Sequence, residues 1–223
     1  MDSRYHFVTR WRLVGTVSEV HKVLGDPLQL VRWWPAVYLD VQQTKPGDAS
    51  GLGREFSLYT KGFLPYTLRW DFTATRVTPT GFSLSARGDF IGEGVWSFEQ
   101  DGPYVNVVYD WQVEARKPLL RALSFALKPI FSLNHEWAMR KGEQSLRLEL
   151  ARQRAGSADE RAAIPAPPGP TPTASGPLLL GLLAAVAALG GLSFVVYRTC
   201  RACRACRTCR AAESGCAGAA GPA

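Results

Sequence analysis

No cysteine occurs before Cys200; all five in the chain stand between Cys200 and Cys216. The preceding residues therefore hold no disulfide, no thiol nucleophile and no thiolate-ligated metal, a pattern that fits a reducing compartment. Histidine is scarce as well: His6, His21 and His135 are the chain's three, and none is spaced from another as a metal pair requires. A nucleophile elbow and a glycine-rich phosphate loop are both missing. Despite the net charge of +7, the chain up to the last span has no block of Lys and Arg interleaved with aromatics. We therefore expect no nucleic-acid partner, no metal and no cofactor. The opening MDSRYHFVTRWRLVG lacks the continuous apolar stretch of a signal peptide, so no export signal is expected either.

What the chain has instead is an uncharged apolar run near its C-terminus, residues 178–197, LLLGLLAAVAALGGLSFVVY. At helical rise that run measures about 30 Å, the thickness of a bilayer's hydrocarbon core. It predicts a single-pass C-terminal membrane anchor. Residues 156–176 are rich in Pro, Ala, Ser and Thr and read as a semi-stiff linker, able when extended to hold a domain on the order of 60 Å from the bilayer. The expected division is a folded domain over 1–156, a linker over 157–176, a transmembrane helix over 177–197 and an Arg/Cys-rich low-complexity tail over 198–223. In that tail, Cys200, Cys203, Cys206 and Cys209 alternate with arginines every three residues. The spacing is similar to iron–sulfur ligand runs, but no fold surrounds it to shield a cluster, and a basic stop-transfer flank is the simpler reading. Its arginines pull the tail towards the cytoplasm by the positive-inside rule, whereas a domain without a signal peptide stays in the cytoplasm. The second consideration is preferred here, giving a cytoplasmic domain on a membrane anchor.

Within the domain, Tyr5–Leu13 alternates as a strand does, with Tyr5, Phe7, Thr9, Trp11 and Leu13 on one side. Thr16-x-x-Glu19 has the pattern of a capping box ahead of a short helix ending near Gly25. Asp26-Pro27 predicts an N-cap and first turn for a second one, stopped by Trp34-Pro35. Strands are then expected near 37–44, 54–60, 65–77, 81–87, 92–100 and 104–115, separated by Gly/Pro/Asp turns. Strict alternation along Leu68–Ala74 and Val105–Val113 implies a sheet with one covered and one wet face. Lys117-Pro118 opens a long helix to about Arg154, which Pro129 should kink.

One strand, two short helices, six strands and a long C-terminal helix is the order of a helix-grip fold. The chain resembles the START-like (SRPBCC) superfamily, in particular its polyketide cyclase/dehydrase and lipid transport group. The resemblance rests on Gly25-Asp26-Pro27 through Arg32-Trp33-Trp34-Pro35, on Gly51-Leu52-Gly53, on Trp96-Ser97-Phe98 and on Asn134-His135-Glu136-Trp137-Ala138-Met139. It covers residues 5 to about 154 and implies an α+β fold, a curved antiparallel sheet wrapped round the long helix with a hydrophobic cavity between them. Members include lipid carriers, ring-closing enzymes and proteins without known activity, so the family points to a site and not to a reaction.

Alternation then nominates the cavity lining: Trp70 and Phe72, Leu84, Trp96 and Phe98, Tyr109 and Trp111 from the sheet, with Leu123, Ile130 and Asn134 from the helix. Such aromatic density suits a flat or polyisoprenoid ligand, although the same residues could simply fill a core. Asn134 and His135 interrupt an apolar helix, and a polar side chain there needs a partner, either a ligand carbonyl or hydroxyl or a neighbouring strand, unless His135 is simply exposed; His6 and His21 read as surface positions. The strand alternation turns Arg69, Asp71 and Asp110 outward, away from any cavity. The expected function is membrane-anchored binding of a hydrophobic small molecule such as a lipid or isoprenoid. The alternatives are a cyclase or dehydratase in the same cavity and a ligand-free interaction module; the residues favour binding over catalysis.

Overall fold

The computed structural model describes residues 4–116 and 118–172, and of residues 118–127 the backbone only. Strand β1 (Arg4–Val14) keeps the expected alternation, burying Trp11 and Leu13 between exposed arginines. Helix α1 (Val17–Leu24) begins at the Thr16 capping box: Glu19 N donates to Thr16 Oγ1 at 3.3 Å and Thr16 N to Glu19 Oε2 at 2.8 Å. A single 3₁₀ turn over Pro27–Gln29 leads into α2 (Leu30–Trp33). Asp26 takes the N-cap position there but makes no side-chain capping bond, so proline at N1 starts the turn without the help expected of the aspartate.

Six strands follow: β2 (Tyr38–Lys45), β3 (Glu55–Lys61), β4 (Thr67–Thr78), β5 (Gly81–Gly88), β6 (Phe90–Asp101) and β7 (Tyr104–Ala115). They pair antiparallel in a meander, and β1 joins beyond β7, so the order is β1-β7-β6-β5-β4-β3-β2 with β1 and β2 at the edges. Register irregularities between Tyr38 and Asp40, Gln43 and Lys45, and Ala74 and Arg76 bend the strands, as extra residues in a ladder do. The concave side carries the core, Phe56 and Leu58 from β3, Trp96 and Phe98 from β6, Val105 and Val107 from β7. Helix α3 (Pro118–Arg154) is one uninterrupted helix through Pro129.

Three contacts seat α3. Buried Met139, Leu146 and Leu150 recur at helical spacing and face the sheet. Gly142 lies on the same stripe, and there the Trp34 ring comes so close that a β-carbon on residue 142 would overlap it. Arg32, at the end of α2, closes a two-bond pair on Glu149, with Nη1–Oε2 at 2.8 Å and Nη2–Oε1 at 2.7 Å, while Gln153 donates to Oε1 at 3.0 Å. The Glu149 side chain is only 2% exposed. Burial alone would push its acid up, but the bonds from Arg32 and Gln153 outweigh burial and hold it below its ordinary value. At the far end of α3, Arg154 Nε donates to Glu19 Oε1 at 2.7 Å and Nη2 to the Val14 carbonyl at 3.0 Å, tying the last turn to α1 and β1. The Arg154 bond, with help from Thr16, brings the Glu19 carboxyl down to about 2.

The segment after α3 departs from the extended linker expected of it. Residues Ala158–Ala163 form a further helix, α4, capped by Ser157 Oγ, which accepts from Glu160 N at 3.1 Å. Beyond it the chain returns to the domain: Arg152 donates to the Pro165 carbonyl, and Thr171 Oγ1 donates to the Gly62 carbonyl at 3.1 Å. Composition predicted a stiff spacer because proline-rich chain has no core of its own, but the carbonyls of such chain remain good acceptors for side chains the domain offers. All the described residues belong to one compact unit, Met1–Thr173. Among them no helix is long and apolar enough to cross a membrane. The expected anchor at 177–197 and the tail at 198–223 lie outside the described residues.

Two outcomes follow for stability. Gly142→Ala gains about 1 kcal/mol of helix propensity yet is expected to destabilise the fold by roughly 1–3 kcal/mol through overpacking against Trp34. Arg32→Met strands a buried carboxylate and should cost about 3 kcal/mol, whereas the Arg32→Met/Glu149→Met pair should cost less than that single change. Urea denaturation of the variants measures both; a double variant weaker than the single one contradicts the assignment of Glu149 as a buried charge held by Arg32.

Candidate functional site

Between the sheet and the middle of α3 lies a cavity of about 180 Å³. Its floor is an aromatic ladder along β7 and its neighbours. Tyr109 stacks on Trp111 (5.5 Å between ring centroids, 22°), Trp111 leans on Trp70 (5.9 Å), and Trp70 meets Phe90 at 4.9 Å. Trp70 Nε1 donates to Thr60 Oγ1 at 3.0 Å, so its one polar atom is used within the wall. Trp34 and Tyr38 close one side, Tyr5 and Phe7 of β1 another, and Phe131, Asn134, His135 and Met139 of α3 form the roof.

Of the residues nominated from the sequence, Trp70, Tyr109, Trp111 and Asn134 line this cavity. The other nominations need correction. Phe72 is buried beyond the cavity against Phe56, the rings 5.0 Å apart. Trp96 lies in the core between Tyr109 at 4.1 Å and Trp11 at 5.4 Å, and Phe98 packs on Phe82 and the ring of His21. Leu84 is core as well. All four stand on the concave face as alternation required; α1 and α2 cover that end of the sheet, and alternation says nothing about which stretch of a face is covered by what. Ile130 points outward at 40% exposure. The Leu123 side chain lies outside those described.

Asn134 has a structural partner: its Oδ1 accepts from Leu64 N at 3.0 Å, which fixes the β3–β4 hairpin loop to α3. The loop passes so near that a β-carbon at position 62 would overlap the Asn134 amide and displace it. His135, left open between a ligand contact and an exposed position, is half-buried in the cavity wall. Its ring stacks on Phe7 at 4.1 Å and 15°, and Nε2 is buried with no hydrogen-bond partner among the described residues. Burial lowers its pKa from 6.5 to about 4, so the imidazole is neutral at pH 7. His21 is less exposed than expected, half-buried edge-on to Phe98 at 5.8 Å. Trp34 Nε1 is a second buried cavity-wall group without a partner among the described residues. Burial pushes the Tyr38 phenol well up, as it does Tyr66 and Tyr109, so all three are neutral donors at any ordinary pH. Lys61, 3% exposed, belongs to the same wall and donates to the Thr171 carbonyl; burial lowers its pKa.

Little in the sequence points to Lys61, Tyr38 or Tyr66. Lys61 stands at a strand end beside a glycine-proline turn, where lysines are ordinarily solvated. The available signal for His135 was its place four residues before buried Met139, on the inner side of α3. Among the described residues no group of three or more His, Cys, Asp or Glu is placed to hold a metal ion.

This arrangement, a curved antiparallel sheet closed by one long helix over an aromatic cavity, is a helix-grip fold, and solved structures share it. TTHA0849 from Thermus thermophilus superposes with a TM-score of 0.56 at 15% identity, over 68% of this chain and 100% of that one. The Zhui aromatase/cyclase from Streptomyces sp. R1128 gives 0.55 at 12% identity, over 70% of this chain and 98% of that one. The di-domain ARO/CYC StfQ from the steffimycin biosynthetic pathway gives 0.50 at 14% identity, over 70% and 53%. At such identities the likeness is one of fold. No family model and no curated protein matches the chain.

His135 makes the domain sensitive to acid. Its folded pKa lies below the unfolded value of about 6.5, so the unfolded chain binds the extra proton first as pH falls. Stability is full above pH 6.5 and is lost progressively towards about 4, by up to about 3 kcal/mol. His135→Phe is expected to flatten that part of the stability profile; an unchanged slope between pH 6.5 and 4 in urea melts contradicts a buried neutral imidazole.

Proposed function

We propose that this domain binds a small, ring-bearing hydrophobic molecule with at least one oxygen, and that the C-terminal run anchors it at a membrane. The observation that supports the reading is the aromatic cavity itself, with His135 and Trp34 in its wall, two rings whose nitrogens Nε2 and Nε1 are buried without a partner among the described residues. A buried polar atom left without a partner costs about 1–3 kcal/mol, and a ligand hydroxyl or carbonyl recovers it. Size narrows the class. An engineered apolar cavity of about 150 Å³ takes one benzene, so the 180 Å³ here suits a ligand of one or two rings without rearrangement. A lipid or isoprenoid enters only if the α3 roof moves.

A catalytic reading uses the same cavity. Aromatase/cyclases among the fold relatives favour it, and neutral His135 beside the Tyr38 and Tyr66 phenols would offer proton donors and acceptors. Against it stands the volume, since sites for drug-sized ligands run to about 300–1,000 Å³, and a chain long enough to close on itself needs that space.

Quenching of the cavity tryptophans by 2-naphthol and by naphthalene tests the binding reading on the full chain. Both should bind, 2-naphthol the more tightly. Replacing His135 by Leu should weaken 2-naphthol about fivefold, the equivalent of one hydrogen bond, and leave naphthalene unchanged. Failure of both probes to bind argues for a filled interaction module; a newly coloured or shifted product from a polyketide-like thioester argues for the enzyme.

A further inference from the structure

Strand β1 is an edge of the sheet, and the second half of α3 runs beside it. Arg147 Nη2 donates to the Arg12 carbonyl at 2.8 Å and Arg154 Nη2 to the Val14 carbonyl at 3.0 Å. In an antiparallel ladder both main-chain groups of a residue point to the same side, and successive residues alternate. The even-numbered residues of β1 therefore turn their N–H and C=O away from β7. Gly15 N, of the other parity, donates to the Pro103 carbonyl at 3.0 Å, on the β7 side. At Arg12 and Val14 the helix caps the outward carbonyls. At His6, Val8 and Arg10 it does not, and the outward main-chain groups of these three have no partner among the described residues. Beside them α3 stands off, leaving an open groove of about 720 Å³ whose far wall includes Pro129, Leu133 and Arg140. An unpaired edge of this kind is a template for a further strand.

Charge decides what that strand is. A second copy of β1, paired antiparallel about Val8, would set Arg12 against Arg4 and Arg10 against His6, and like charges directly opposite one another destabilise a sheet. The Arg12 guanidinium already holds Asp101, and the His6 ring holds Asp110. Arg10 is exposed and has no partner among the described residues, so a carboxylate across from it completes a pair. Val8, 42% exposed, favours an apolar neighbour on the same face; Leu133, 54% exposed, and Pro129 favour apolar side chains on the other. We propose that the β1 edge from His6 to Arg10 takes an extended segment of a partner protein as an eighth, antiparallel strand. That segment is apolar along its length and carries an acidic residue opposite Arg10. Main-chain bonds supply the affinity of such strand addition, and the flanking side chains supply the choice of sequence. The site is independent of the cavity's ligand and of any membrane anchor.

The test is fluorescence anisotropy of labelled peptides titrated with the full chain. The probe carries Glu-Leu-Val-Leu-Thr, which in antiparallel register sets its glutamate opposite Arg10 and its valine opposite Val8. A second peptide has lysine for the glutamate, and a third is methylated on the valine nitrogen, which must donate to the Val8 carbonyl. The glutamate peptide should bind, and the lysine peptide about fivefold more weakly. N-methylation, which removes one main-chain bond and crowds the edge, should weaken binding on the order of tenfold. Arg10→Glu should reverse the order of the glutamate and lysine peptides, and Leu133→Asp should weaken the glutamate peptide. Both positions are exposed, so the variants keep the fold, and the N-methyl comparison needs no variant at all. Equal binding with and without the N-methyl group shows apolar adhesion without an added strand and overturns the proposal. So does a preference for glutamate that survives in Arg10→Glu, or a chain that binds none of the peptides.

Discussion

Everything that matters for the cavity depends on how closely α2 meets α3. Trp34 presses on the helix at Gly142, where no β-carbon fits, and about two turns further on Arg32 reaches over to the buried Glu149. The first contact is steric and fixes a distance; the second is electrostatic and fixes a rotation, because a two-bond guanidinium–carboxylate pair tolerates little misalignment. With α3 held at that end and Arg154 locked onto Glu19 and Val14, its middle can stand off from the sheet without the helix collapsing onto it. The cavity is the space so preserved. Trp34 itself takes part in both jobs, as the wedge and as a wall.

The walls show why a ligand is a sound expectation. A protein interior is packed about as densely as an organic crystal, and an empty space of 180 Å³ lined by aromatic rings is a standing loss of dispersion contacts. Polar atoms there are used unevenly. Trp70 has Thr60 and Asn134 has the Leu64 amide, so these two serve the frame, but the His135 and Trp34 nitrogens have no such use among the described residues. The helix pattern singles out Asn134 and His135 alike as polar groups in need of a partner; the Leu64 amide takes Asn134, which leaves His135 the better candidate.

The segment after α3 changes the picture of residues 157–172. A proline-rich stretch read as a spacer becomes, at least to Thr171, a strap returned along the domain to the β3–β4 loop. Lys61 is the hinge between these themes. It is buried in the cavity wall, its ammonium destabilised by loss of water, and it meets the strap through the Thr171 carbonyl. Wall and strap thus share two consecutive residues, Lys61 and Gly62.

How much of this could be read from the residues alone depends on the range of the interaction. Alternation along β1, β4 and β7, the Thr16–Glu19 cap, the stop at Trp34-Pro35 and the turn chemistry between strands are local, and each element lies within a few residues of its expected place. Those patterns, with the order of elements, were enough for the helix-grip architecture. Periodicity also assigned Phe72, Leu84, Trp96 and Phe98 to the inner face, but whether an inner residue meets cavity or core depends on which part of the sheet α1 and α2 cover, a fact no strand carries in itself. Whether His135 meets a partner or solvent stays open in the sequence because a helix face has no inside until something packs on it; the stack with Phe7, distant in sequence, supplies one. In the same way nothing in the composition of 164–172 reveals that its carbonyls accept from Arg152 and Lys61 or that the Thr171 hydroxyl donates to the Gly62 carbonyl. The sequence by itself determined the elements, their order and their buried faces, since these follow from backbone sterics and the period of hydrophobicity; only the tertiary structure decided where the cavity lies and which polar atoms it leaves unpaired, since both are set by contacts between segments far apart in the chain.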